Sequence, residues 1–159
     1  MGNVSTCLWF DGQAEEAARF YTSVVKNSRV GDIVPYGEAG PGEKGSVMIV
    51  TFELDGQKFV GLNGGPEFKF DEAISIQIAC DSQQEIDELW RQLTADGGEE
   101  GPCGWLKDKY GLSWQIDSRA LHGMIISPDQ EGAARAIEAM LGMKKLDVQA
   151  LQDAFDGQA

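Results

Sequence analysis

A chain of 159 residues with 42% hydrophobic and 25% charged side chains has enough apolar material for a packed core, which excludes wholesale disorder and leaves room for one ordinary domain or two half-size modules. Asp and Glu number 26 against 13 Lys and Arg, a formal charge of -13, so the long-range field repels phosphates and anionic lipid and no nucleic-acid partner is expected. No apolar run nears the roughly 20 residues of a spanning helix, and Met1 to Phe10 lacks the basic-then-apolar pattern of a secretory signal. No membrane association is therefore expected, and the expected compartment is the cytoplasm.

In chain order, a strand-like run from Asn3 to Phe10 leads through an acidic turn at Asp11 to a helical stretch, Gln13 to Val25. There Ala14, Ala17, Ala18, Tyr21 and Val25 keep the three- and four-residue spacing of one helix face. Strand candidates follow at Arg29 to Tyr36, Ser46 to Leu54 and Lys58 to Leu62. Asp55-Gly56 reads as a tight hairpin turn, since Gly tolerates positive φ. Glu38 to Gly45, rich in glycine, reads as a mobile loop or an ordinary surface connection.

About 70 residues on, the order recurs, and a recurrence at fixed offset decides the architecture. Strand-like Ala73 to Cys80 leads to Asp81 and a helix opened by Ser82 and Glu85, an S-x-x-E capping box. Ile86, Leu89, Trp90 and Leu93 fall at helical spacing. Further strands are expected near Trp105 and over Leu112 to Asp117, joined by a turn at Lys109-Tyr110-Gly111. The unit is β-α-β-β-β, twice: an α+β chain with modules over 1–66 and 67–122 and a helical extension over 123–159.

In that extension, Ser127-Pro128-Asp129-Gln130 reads as N-cap, first-turn proline and capping-box glutamine. The helix it opens runs through Ala133, Ile137, Met140 and Leu141 to a stop at Gly142, and Asp147 caps a last helix with Val148, Leu151 and Phe155. The apolar stripes of both need a partner surface, either their own sheet or a second subunit.

Strand alternation marks a candidate binding face. Ile74, Ile76 and Ile78 share one side and Ser75, Gln77 and Ala79 the other, while Leu112, Trp114 and Ile116 oppose Ser113 and Gln115. Helices cover the oily side, so the polar side either meets water or lines a cavity where uncharged donors and acceptors suit a polar organic group. Lys58 to Pro66, with three glycines around Asn63, permits a sharp turn or a close approach. Phe68, Phe70 and Trp105 supply either ligand contacts or packing beneath that loop.

Metal and thiol chemistry have few candidates. The single histidine, His122, reads as a surface or capping residue, and Asp117 or the pair Glu53 and Asp55 are the carboxylate alternatives. Cys7 and Cys80 sit in apolar runs and read as core thiols; Cys103, in a loop, is the reactive-thiol candidate but has no basic neighbour in sequence. No metal and no cofactor is expected.

Several runs carry a resemblance: Cys7-Leu8-Trp9-Phe10-Asp11-Gly12-Gln13-Ala14-Glu15-Glu16-Ala17, Phe20-Tyr21, Leu62-Asn63-Gly64-Gly65-Pro66, Cys103-Gly104-Trp105-Leu106-Lys107-Asp108 and Gly111-Leu112-Ser113-Trp114-Gln115. Together they resemble the PhnB-like family of the glyoxalase, bleomycin-resistance and dioxygenase superfamily, also called vicinal oxygen chelate proteins, and the likeness runs on through the tail around Met140 to Leu151. The resemblance implies paired βαβββ modules curving a mixed sheet around a cavity, commonly in a homodimer. In metal-binding members four ligands come from the first and last strands of each module. Those positions fall near Thr6, Gly61, Ser75 and Gln115, where only Gln115 could ligate. Relatives also carry a label as 3-demethylubiquinone-9 3-methyltransferases, but the chain has no strand-GxGxxG-helix fingerprint for a nucleotide-type cofactor.

The function expected is a small-molecule-binding protein or weak enzyme, metal-free, with an organic ligand held in the cavity by Thr6, Asn63, Ser75, Gln77, Trp105, Ser113 and Gln115. The alternatives are a divalent-metal isomerase or lyase of the same superfamily using Gln115 and carboxylates, and a structural homodimeric protein whose cavity is filled by its own aromatic side chains.

Overall fold

The computed structural model describes residues 3–158; residues 1 and 2 of the first expected module and 159 of the extension lie outside it. The chain divides into two compact units, Met1–Phe70 and Asp71–Ala159, each built on its own four-stranded mixed sheet.

The first unit runs β1 (Thr6–Phe10), α1 (Ala14–Val24), β2 (Arg29–Pro35), β3 (Val47–Leu54) and β4 (Gln57–Asn63). Its sheet order is β1-β4-β3-β2, with β1 parallel to β4 and the other pairs antiparallel. A parallel pair needs a long crossover, and α1 lies within it. The β3–β4 hairpin closes at Asp55-Gly56 with φ of 47° and 82°, the left-handed pair whose twist matches a hairpin. Leu8, Phe10, Val50, Phe52 and Phe59 are buried with Ala14, Ala17, Ala18 and Tyr21 of α1. The helix can come this close because Gly61 has no side chain: a Cβ there would stand 2.9 Å from Val50 and 3.2 Å from Ala14.

The glycine-rich loop after β2 is folded over an aromatic ring. A Cβ at Gly42 would collide with the ring of Tyr36, whose hydroxyl donates to the Asn63 carbonyl at 2.5 Å and whose backbone pairs with Gly45 and Ser46. Gly64 serves the same end, since its missing side chain leaves room for the Trp9 indole. That indole donates to the Gly65 carbonyl at 2.8 Å and meets Phe68 edge-on at 4.9 Å. Phe70 packs on Phe10 in the same way, so both phenylalanines have packing roles in their own unit.

The second unit repeats the order: β5 (Ser75–Cys80), α2 (Gln83–Leu93), a 3-10 turn, β6 (Glu99–Glu100), β7 (Trp105–Lys107) and β8 (Ser113–Ser118), arranged β5-β8-β7-β6. Ser82 caps α2, accepting from the Glu85 amide, while the Glu85 carboxylate reaches the Asp81 amide at 3.0 Å. The expected capping box is therefore present, its return bond displaced by one residue. Cys80, Leu106, Leu112, Trp114 and Ile116 are buried with Ile86, Leu89, Trp90 and Leu93 of α2. Ile74 departs from the expected alternation: it precedes β5 and is 54% exposed.

Three helices follow, not two. α3 (Arg119–Ile125) precedes α4 (Gln130–Leu141) and α5 (Val148–Phe155). Ser118 caps α3, and Asp129, not Ser127, caps α4 by accepting from the Gly132 amide at 3.0 Å; Ser127 instead accepts from the Asp129 amide. The apolar stripes bury against one another, with Leu121, Met124, Ala136, Leu146 and Leu151 forming a separate core. Gln83 ties this cluster to α2 by donating to the Leu146 carbonyl and accepting from the Val148 amide. No helix among the described residues is long and apolar enough to cross a membrane.

Candidate functional site

The face of the second sheet opposite α2 is organised in rows, because residues paired across strands point the same way. Glu99 pairs with Lys107, Lys107 with Ser113 and Ser113 with Ser75, which makes one row across all four strands. The next contains Trp105, Gln115 and Gln77. Amide side chains stitch the rows together: Gln115 Nε2 donates to Ser75 Oγ at 2.9 Å, and Gln77 Nε2 to Asp117 Oδ2 at 3.0 Å. Five of the expected ligand-binding residues, Ser75, Gln77, Trp105, Ser113 and Gln115, thus share one face.

At the β6–β7 end this face opens into a cavity of about 490 Å³ lined by Glu72, Glu99, Glu100, Gly101, Pro102, Cys103, Trp105, Leu106, Lys107 and Ser113. Ser113 is only 1% exposed, and its hydroxyl is the one buried side-chain polar atom without a hydrogen-bond partner among the described residues. Burying an unpaired hydroxyl costs about 1–3 kcal/mol, and folded proteins rarely leave such a group unmatched except where something else meets it. Lys107 pairs with Glu72 over the same cavity. The hydrogen bond with Lys107 holds the Glu72 carboxyl below its ordinary range and raises the Lys107 ammonium above its own.

Glu72, Glu99 and Lys107 were not expected at this site. A signal for Lys107 existed: it lies two residues from Trp105 in an extended run, so period two puts both on one face. Glu99 had none, because β6 is only two residues long.

Thr6 and Asn63 are placed differently. Thr6 has the parity of the buried Leu8 and Phe10, and Asn63 that of Phe59 and Gly61, so both belong to the α1 side of the first sheet. Both polar atoms of the Asn63 side chain are engaged within the first unit. Its Oδ1 accepts from the Ala14 amide at 2.9 Å, capping α1 from a distant strand, and its Nδ2 donates to the Val47 carbonyl at 2.9 Å. Cys7, with the opposite parity, is exposed and not a core thiol, whereas Cys80 is buried. Set in an apolar strand surface, the Cys7 thiol is pushed up by partial desolvation.

Cys103 lines the cavity with a left-handed backbone, φ 57°, a strain tied to packing: Cys103 and Gly104 donate their amides to the Met143 and Lys144 carbonyls at 2.8 and 2.7 Å. His122 is exposed in the last turn of α3. Glu53 is paired with Arg29 at 2.9 Å, and the Asp55 carboxylate accepts from Asn27 at 3.2 Å.

The side chains do not fit a divalent ion at the superfamily's ligand positions. Thr6 and Gly61 face α1, Ser75 and Gln115 bond to each other, and no three His, Cys, Asp or Glu side chains among the described residues converge on a common point.

Three comparisons bear on kinship. A family model described as 3-demethylubiquinone-9 3-methyltransferase matches residues 2–117. A solved PhnB protein from Bacillus cereus is 37% identical, with 74% of this chain and 99% of that one covered and a TM-score of 0.65. Protein PA1353 from Pseudomonas aeruginosa is 19% identical over 74% of this chain and 98% of its own, with a TM-score of 0.61, a likeness of fold alone. No curated protein matches the chain. The matched region of the family model ends at residue 117, before α3, so the likeness expected through Met140 to Leu151 is not carried by it.

Proposed function

Because this chain belongs to the PhnB-like family of the glyoxalase, bleomycin-resistance and dioxygenase superfamily, we propose that it binds a small organic molecule, without a metal, on the open face of its second module. The observation that carries this reading is the Ser113 hydroxyl, buried, unpartnered and set in the wall of a cavity of about 490 Å³. A volume of that order lies within the range of small-molecule sites, roughly 300–1,000 Å³, which pair apolar walls with a few placed polar groups. Here Trp105 and Pro102 supply the apolar wall, and Ser113, Lys107 and the acidic side chains the polar groups.

Methyl transfer, the chemistry in the family description, does not enter this reading. A nucleotide-type donor is ordinarily cradled by a glycine-rich turn whose amides at a helix start remain free. In this chain the Ala14 amide at the start of α1 is taken by Asn63, and the Glu85 amide in the first turn of α2 by Ser82.

The test is an equilibrium screen of small organic molecules against the purified chain, repeated with Trp105→Ala and Ser113→Ala. Hits should weaken in both variants. A set of hits that bind both folded variants unchanged would refute the site.

A further inference from the structure

We infer that the molecule this cavity takes is a small organic cation, an ammonium attached to an apolar or aromatic body, held between Trp105, Ser113 and the Glu99 carboxylate. The inference rests on the binding reading above and narrows it to one class of ligand.

Charge is the first argument. Around the cavity Glu72 and Glu99 stand against a single basic residue, Lys107, while Glu100, in register with Leu106, turns to the α2 side. Lys107 is already paired with Glu72. Glu100 accepts from the Trp90 indole at 2.8 Å and faces Lys144 at 3.9 Å. Glu99, in register with Lys107 on the same face, forms no direct hydrogen bond or ion pair among the described residues, and its charge acts on the Lys107 ammonium. An anionic ligand would have to displace Glu72 from Lys107 and then sit beside a second carboxylate, whereas a cation meets in Glu99 a carboxylate opposed by Lys107 through charge alone, with no direct ion pair to break. The formal charge of -13 on the whole chain adds a field that concentrates cations at its surface.

An acidic rim alone would say little, because exposed carboxylates are ordinary. The second argument is the buried Ser113 hydroxyl, two places along the row from Glu99 and next to Lys107, whose oxygen is free to accept from an N–H donor. The third is Trp105. Its neighbour across the strand pair is Gln115, its side chain is half-buried in the cavity wall, and indole is the side chain that attracts an ammonium most strongly through its π-face. A carboxylate, an acceptor oxygen and an indole along one wall form the donor set of an amine site.

The probes are three molecules of one shape and different charge: phenethylamine, phenethyl alcohol and 3-phenylpropionate. Each is titrated into the full chain at low salt while the Trp105 indole and Ser113 amide signals are followed by NMR. The amine should shift both signals and bind about tenfold more tightly than the carboxylate, and Glu99→Gln should weaken the amine about fivefold while leaving the alcohol unchanged. Raising the salt should weaken the amine alone. If the alcohol or the carboxylate shifts the same signals as tightly as the amine, the cation assignment fails and the binding site stands. If none of the three shifts them at millimolar concentration, both fail.

Discussion

The carboxylate of Asp108 and the indole of Trp114 are joined by a hydrogen bond of 2.9 Å inside the second unit, with Asp108 2% and Trp114 0% exposed. The other carboxylate oxygen accepts from the amides of Tyr110 and Leu112 at 2.8 and 3.1 Å. One buried side chain therefore fixes the β7–β8 turn and the tryptophan at the centre of the α2 face, and so holds the strand that carries Ser113 and Gln115 in register.

Asp108→Ala strands three donors at once, the buried Leu112 amide and Trp114 indole and the part-buried Tyr110 amide. At about 1–3 kcal/mol for each orphaned group, reduced by relaxation of the turn, the loss should be on the order of 3 kcal/mol in denaturant unfolding. Asp108→Asn should fall between the two, because one amide oxygen can serve the turn while its NH2 faces the indole N–H. A change below about 0.5 kcal/mol for Asp108→Ala, the ordinary surface range, would show that the network contributes nothing.

Asn63 acts at the equivalent level in the first unit, linking the start of α1 to β3. Removing a capping oxygen costs about 1 kcal/mol and orphaning a second partner adds to it. Asn63→Ala should therefore destabilise by about 2 kcal/mol and speed hydrogen exchange at the Ala14 amide ahead of the rest of α1. Asn63→Asp keeps the cap but turns a donor toward the Val47 carbonyl into an acceptor, so it should protect Ala14 while still lowering stability. Unaltered exchange at Ala14 in Asn63→Ala would remove the capping role.

Features set by local periodicity were legible in the amino-acid order. Gln77 beside Ile76 and Ile78, and Gln115 between Trp114 and Ile116, need only the two-residue pleat to declare their faces, and the structure places both pairs as that pleat requires. Register was the harder quantity. An error of one residue in a strand moves a side chain to the opposite face, which is why Thr6 and Gly61 lie on the α1 side while their neighbours Cys7 and Val60 face away. Competing caps explain the start of α4: Ser127 and Asp129 are both good N-cap residues, and Asp129 takes the role while Ser127 accepts from its amide. α3 left almost no trace, since it buries only Leu121 and Met124 and carries a glycine within. The unpaired hydroxyl of Ser113 could not have been read at all, because the absence of a partner is a property of packing.

The Glu72–Lys107 pair gives a pH dependence whose sign follows from both partners. Glu72 is held below the ordinary carboxylate range, first by its hydrogen bond with Lys107, and Lys107 is raised chiefly by the same bond. A carboxylate with a folded pKa below its unfolded one stabilises the fold above the unfolded value, near pH 4.3, and that contribution is lost as pH falls through the lowered folded pKa. For Lys107 the contribution is complete below its unfolded value, near pH 10.4, and is lost as pH rises through the raised one. Both side chains are more than one-third exposed, so solvent and salt screen the pair and its effect on global stability is small. The sensitive readout is the titration of the Glu72 carboxyl carbon by NMR. In Lys107→Met it should move up toward the ordinary glutamate range, stopping short of it because a backbone hydrogen bond also lowers the Glu72 carboxyl, and in 1 M salt the native chain should move a smaller part of the way. A Glu72 curve that stays put in Lys107→Met would mean that the pair does not set its charge, and would remove the strongest reason for treating Lys107 as unavailable to an anionic ligand.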